Sequence, residues 1–136
     1  MVAIKKEVIE SIIEHGKNEY PYECCGMLAG TNTNDKLIIE KSYYVKNMDK
    51  SSEHFTMDPQ EQFDVMKKIR GEGLTLLGNY HSHPYTPSRP SEEDKRLAYD
   101  ESAIYGILSL EKEEPMLKFF KIIAQQKVEK IEIEIV

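Results

Sequence analysis

The chain has 136 residues, 24 acidic against 18 basic, with a formal charge of -6 and a pI near 5.3. This length supplies one hydrophobic core and is short for two ordinary domains, so a single domain over residues 1–136 is expected. The acidic balance, with no Lys/Arg cluster, argues against a nucleic-acid partner, because polyanion binders carry a basic stripe that displaces counterions.

The start, MVAIKKEVIESIIEHG, interrupts its apolar positions with charges. It reads as neither a signal peptide nor a membrane span, and a cytoplasmic location with no membrane partner is expected. Val8, Ile9, Ile12 and Ile13 recur at helical spacing and predict an amphipathic helix ending near Gly16. CCGMLAG (24–30) reads as a short buried strand and DKLIIEKSYYVKN (35–47) as a longer one, entered through the polar turn TNTND. Pro59 opens a second helix, with Phe63, Met66 and Ile69 on one face and Gly71 at its end.

The apolar run that begins LTLLGNYHSH (74–83) suits a central strand covered on both faces. SEEDKRLAYDES reads as a short helix. The segments 103–110, 114–125 and 127–136 read as strands, the last alternating Val128, Ile131, Ile133 and Ile135 with charges. The whole predicts an α/β fold with a mixed sheet and helices packed on it.

The chemistry concentrates in HSHPYTPSRPSEED (81–94). On a strand, His81 and His83 share a face and Ser82 points away, so two imidazoles can meet one cation. A lone H-x-H is more often ordinary than ligating. Pro84, Pro87 and Pro90 force the chain out of the sheet after His83. SEED then matches the capping box, which by itself accounts for Ser91 and Asp94. Two His and one Asp nonetheless supply the three N/O ligands of an open catalytic zinc site, and the proline turn holds Asp94 in a fixed place relative to the strand.

Such a site needs a base. Glu23, in PYECCG, is the candidate, because it stands directly before a strand of small and apolar residues. A solvated loop glutamate is the plainer reading of that position alone.

Together these residues resemble the JAMM motif, also called MPN-plus, of zinc-dependent isopeptidases: E…H-[ST]-H-P-x6-S-x2-D. PYECCGMLAG is similar to the family's P-x-E-x-C-G-x-L-x-G, and GNYHSHPYTPSRPSEED to its G-x-x-H-S-H-P-x-x-x-x-x-P-S-x-x-D. The resemblance implies a cytidine-deaminase-like fold with a curved mixed sheet between helices, and one zinc per chain held by His81, His83 and Asp94. It also implies that Glu23 is the general base toward a zinc-activated water and passes the proton to the departing amine. By the same carry-over Ser91 donates to the developing oxyanion, a role compatible with capping.

The implied substrate is the bond after the C-terminal Gly-Gly of a ubiquitin-like or sulfur-carrier protein. A chain this short resembles the compact prokaryotic form, and segment 47–59 is a candidate groove wall, or simply a surface loop. Homodimer formation is a further expectation. Cys24 and Cys25 are adjacent and alone, which fits a reducing compartment. Cys25 is read as a small buried hydrophobe, and Cys24 is a nucleophile only if a histidine base faces it. His15 and His54 are read as surface residues, and Phe119, Phe120, Ile122 and Ile123 as core or dimer contact. The main rival is a catalytically silent scaffold of the same fold that binds a protein partner, although such relatives usually lack a ligand. A nucleobase deaminase would need H-x-E and a P-C-x-x-C pair, and neither is present.

Overall fold

A computed structural model describes all 136 residues. Strand β1 (Val2–Ile4) leads into helix α1 (Lys6–Glu19), then β2 (Cys25–Thr33), β3 (Lys36–Val45) and helix α2 (Pro59–Gly71). Strand β4 (Thr75–His83), helix α3 (Glu92–Arg96) and strands β5 (Ile104–Ser109), β6 (Met116–Ile123), β7 (Lys127–Ile131) and β8 (Ile133–Ile135) complete it.

One mixed sheet runs β7-β6-β5-β4-β2-β3-β1-β8. Strand β4 pairs antiparallel with β2 and parallel with β5, so it is central, as expected. The two edge strands are consecutive in the chain. The segment 127–136 is therefore not one strand: it breaks at Glu132, and its halves join opposite edges, β7 to β6 and β8 to β1. Residues from both edges and from α1 line a shared apolar groove, so the sheet is curved and nearly closed.

Helix α1 buries Val8, Ile12, His15 and Gly16. Val8 and Ile12 join Ile4, Leu28, Ile39, Tyr80, Ile104, Leu108 and Phe119 in the main core. Each aliphatic side chain taken fully out of water there contributes about 1.5–3 kcal/mol. Phe119, Phe120 and Ile122 are buried. The helix does not stop at Gly16. The glycine lets the Leu108 methyl approach where a Cβ would collide with it, so it is a packing residue and not a terminator.

On the other face, Ile69 of α2 packs with Ala29 and Tyr43, supported by Val65 and Leu74. Asp58 caps α2 through its carboxylate, which accepts from the Gln60 and Glu61 amides, and Pro59 sits where no amide is needed. The inward face is not Phe63–Met66–Ile69: Phe63 and Met66 are exposed and only Ile69 is buried. Residues 2–4 form a strand that the helical pattern around them conceals. No helix is long and apolar enough to cross a membrane.

Candidate active site

Strand β4 ends at His83, and alternation along it sends Tyr80 and Ser82 toward α1 and His81 and His83 to the opposite face. The chain then leaves the sheet through the proline turn and enters α3 at a capping box. Ser91 Oγ accepts from the Asp94 amide at 3.0 Å, and Asp94 Oδ2 accepts from the Ser91 amide at 2.9 Å. The same Oδ2 lies 3.1 Å from His81 Nε2 and 3.1 Å from His83 Nε2. The two Nε2 atoms are themselves 3.1 Å apart. The cap thus aims one carboxylate oxygen at both imidazoles.

An equilateral set of two imidazole nitrogens and a carboxylate oxygen matches one face of a tetrahedral site, whose edges are about 3.3 Å for bonds of about 2.0–2.1 Å. His83 Nδ1 donates to the Pro87 carbonyl at 2.9 Å, which places the ring proton there and leaves the Nε2 lone pair free. His81 Nδ1 is buried with no partner. Its ring is fixed by stacking on Phe55, with centroids 4.6 Å apart. Side-chain exposure of His81, His83 and Asp94 is 3%, 7% and 13%, so the cluster is largely buried, with Asp94 its most exposed member. Burial by itself would push the Asp94 carboxyl up. The His81 and His83 imidazoles against it, wherever their Nε2 atoms carry a proton, outweigh that and hold it well below the usual carboxylate range. Residues and geometry fit a divalent cation with N/O preference.

Glu23 lies directly before β2. The register Cys25 opposite His81, with the Ser82 amide donating to the Cys24 carbonyl, carries Glu23 to the level of His83. Its backbone is held on both sides: the Glu23 amide donates to the Ser51 carbonyl at 2.8 Å, and Asn47 Nδ2 donates to the Glu23 carbonyl at 3.0 Å. Glu23 is 5% exposed. Burial first, then the negative charges of Asp94, Glu93 and Glu53, push its carboxyl up to about 9. It is not a solvated loop glutamate.

Two cavities meet this centre. One of about 230 Å³ is lined by His81 and Asp94 with Phe55, Met57 and Leu97. Segment 47–59 supplies its wall, and Asn47 organises that segment by accepting from the Asp49 and Thr56 amides. The other, of about 610 Å³, is lined by Glu23, Tyr22, Lys46 and Lys50 among others. Sequence reasoning passed over Phe55 and Asn47. The available signal was weak, a lone aromatic and an amide within a polar segment.

His15 is a correction. It sits one turn past Ile12 on the buried face of α1 and is 6% exposed, not on the surface. Its Nδ1 lies 2.8 Å from the Tyr80 hydroxyl, and its ring stacks on Tyr44. His54 is about half exposed and pairs with Glu93. Cys24 and Cys25 are buried, and burial pushes each thiol up to about 12, so neither is a nucleophile near neutral pH. Cys25 Sγ donates to the Val45 carbonyl.

Fold and site together define a hydrolase of the JAB/MPN class. The family of prokaryotic homologs of the JAB domain matches residues 5–123, and the chain belongs to that family. Over its full length the chain is 42% identical to protein DSY2949 from Desulfitobacterium hafniense, whose solution structure aligns with a TM-score of 0.90 over 93% of that chain. It is 28% identical over 109 residues to the CysO-cysteine peptidase of Mycobacterium tuberculosis, an alignment covering 80% of this chain and 73% of the relative. It is 27% identical over 113 residues to the desampylase of Haloferax volcanii, covering 79% and 80% of the two chains.

Proposed function

We propose that the protein is a zinc-dependent peptidase or isopeptidase that hydrolyses the bond after the C-terminal Gly-Gly of a ubiquitin-like or sulfur-carrier protein. The observation that carries this reading is the convergence of His81 Nε2, His83 Nε2 and Asp94 Oδ2, each 3.1 Å from the others, beside the buried Glu23. A CysO-cysteine peptidase and a desampylase among its relatives support it.

His81, His83 and Asp94 would hold the ion. Zinc bound there would supply a Lewis acid, which acidifies water and polarises the scissile carbonyl. Glu23 orients the attacking water, takes its proton and returns it to the leaving nitrogen. Burial alone keeps this carboxyl protonated at neutral pH and ready to donate, and the positive charge of an ion held beside it would draw it back down so that it also accepts. The Ser91 hydroxyl accepts from the Asp94 amide, and its own proton remains available for the developing oxyanion. The cleft beside His81 and Asp94, walled in part by Phe55 and Met57, suits an extended Gly-Gly tail.

The test measures zinc content and cleavage of Gly-Gly fusions of ubiquitin-like and sulfur-carrier proteins, for wild type and Glu23→Gln. One zinc per chain in both proteins, with cleavage only by wild type, supports the reading. Zinc in both and cleavage by neither across the panel would rule the hydrolytic function out, and a protein that never binds zinc would rule out the metal site.

A further inference from the structure

The turn from His83 to Ser91 sets where the imidazoles stand relative to Asp94, yet its own backbone does little to hold it. Pro84, Pro87 and Pro90 have no amide to donate. Within residues 84–90 the one backbone amide with a backbone partner is that of Arg89, and it bonds to Pro87 inside the turn. No amide of the turn therefore bonds to the sheet. Prolines stiffen a loop, but they do not fix where it lies against its neighbours.

Two buried hydroxyls do. Ser88 Oγ donates to the Ile107 carbonyl at 2.6 Å, and Ser109 Oγ donates to the Thr86 carbonyl at 2.7 Å. Ser88 is 6% exposed and Ser109 3%. Ile107 and Ser109 both belong to β5, where they pair with His81 and His83 of β4. The strand beside the two imidazoles thus grips the turn on either side of Pro87, at Thr86 and at Ser88. Pro87 is the residue whose carbonyl accepts from His83 Nδ1 at 2.9 Å. The same carbonyl accepts from the Arg89 amide at 2.9 Å, which closes a three-residue turn with Ser88 at its centre.

We infer that Ser88 and Ser109 are positioning residues for the cation site, acting on His83 through the Pro87 carbonyl. The inference rests on the reading above that His81, His83 and Asp94 hold an ion. A carbonyl kept at hydrogen-bond distance holds the proton on Nδ1 and leaves the Nε2 lone pair aimed at the cluster. Neither serine touches the reacting atoms. Each hydroxyl is buried, so its removal leaves a carbonyl without that donor and frees one side of the turn. The effect is directional: His83 depends on the turn, whereas the His81 ring is stacked on Phe55.

The test compares wild type with Ser88→Ala, Ser109→Ala and Ile12→Val. The last is a core substitution on α1, comparable in cost to a buried hydrogen bond, that removes no bond of the turn. Competition with a chromophoric chelator gives zinc affinity, and NMR of the zinc-loaded protein follows the His83 Nδ1 proton. Both serine variants are expected to bind zinc about three- to tenfold more weakly. Their His83 ring proton should exchange with water faster and shift further than any His81 ring signal, while Ile12→Val keeps wild-type values of both. Wild-type affinity and an unmoved His83 proton in both serine variants would overturn the assignment. The same losses in Ile12→Val would overturn it too, since they would then follow from stability alone. A wild-type protein that binds no zinc overturns the cation site itself, and that result is read before any variant is compared.

Discussion

Phe55 lies nearly flat against His81, with ring centroids 4.6 Å apart and planes 24° from parallel. His83 is oriented by a hydrogen bond to Pro87, whereas His81 Nδ1 has no partner, so the stack is the contact that sets its ring plane. Losing an orienting contact to a metal-binding His typically costs about 10–100-fold in affinity. Phe55→Ala is therefore expected to weaken zinc binding about tenfold, and Phe55→Leu less, in competition against a chromophoric chelator. Equal affinity in all three proteins would show that the ring is held by something other than Phe55.

His15 makes stability depend on pH. Burial lowers its pKa from 6.5 to about 4. Between those values the unfolded chain takes up a proton that the folded protein refuses. The contribution is complete above pH 6.5 and is lost as pH falls toward about 4, and amounts to about 3 kcal/mol. Urea unfolding of wild type and His15→Gln at pH 7.5, 5.5 and 4.5 checks this. The gap between the two proteins should shift in favour of the variant as pH falls, and a constant gap would contradict a buried neutral His15.

Gly26 gives Tyr80 its place. A Cβ there would stand 2.4 Å from the Tyr80 ring and 2.4 Å from the Tyr43 carbonyl oxygen. The ring is fully buried and its hydroxyl is engaged with His15, and the carbonyl belongs to a paired strand, so neither can give way cheaply. Gly26→Ala should destabilise the fold by about 3 kcal/mol, read as a lower urea midpoint with unchanged m-value. A midpoint matching wild type would mean that the β2–β4 junction is looser than the packing shows.

The parts of the fold legible in the sequence were those set by local chemistry. The H-x-H pair on one strand face, the proline exit and the Ser91–Asp94 box all depend on neighbours within a few residues, and their motif implied the relation to Glu23. What escaped depends on distant partners. Alternation marks residues 127–136 as extended but does not say that Glu132 parts two strands on opposite edges. His15 is polar, and only its spacing after Val8 and Ile12 hinted that it lies inward. Phe63 and Met66 follow a helical period, yet the face that α2 buries is chosen by Ala29 and Tyr43 across the sheet. Phe55 meets His81 through a loop, where no period applies.

Ser91 carries two separable burdens. As N-cap its oxygen accepts from the Asp94 amide, and loss of such a cap costs about 1 kcal/mol. As an oxyanion donor its hydroxyl would be worth about 10²–10³ in kcat. Ser91→Ala removes both, while Ser91→Asn retains a cap but has no hydroxyl to present from the same place. The expected pattern is a stability loss for Ala that Asn largely restores, with zinc content near wild type in both and kcat reduced at least about a hundredfold in both. Urea unfolding, metal analysis and steady-state kinetics on one cleaved Gly-Gly fusion separate the two roles. If Asn restored kcat along with stability, Ser91 would act only by holding Asp94 Oδ2 against the two imidazoles.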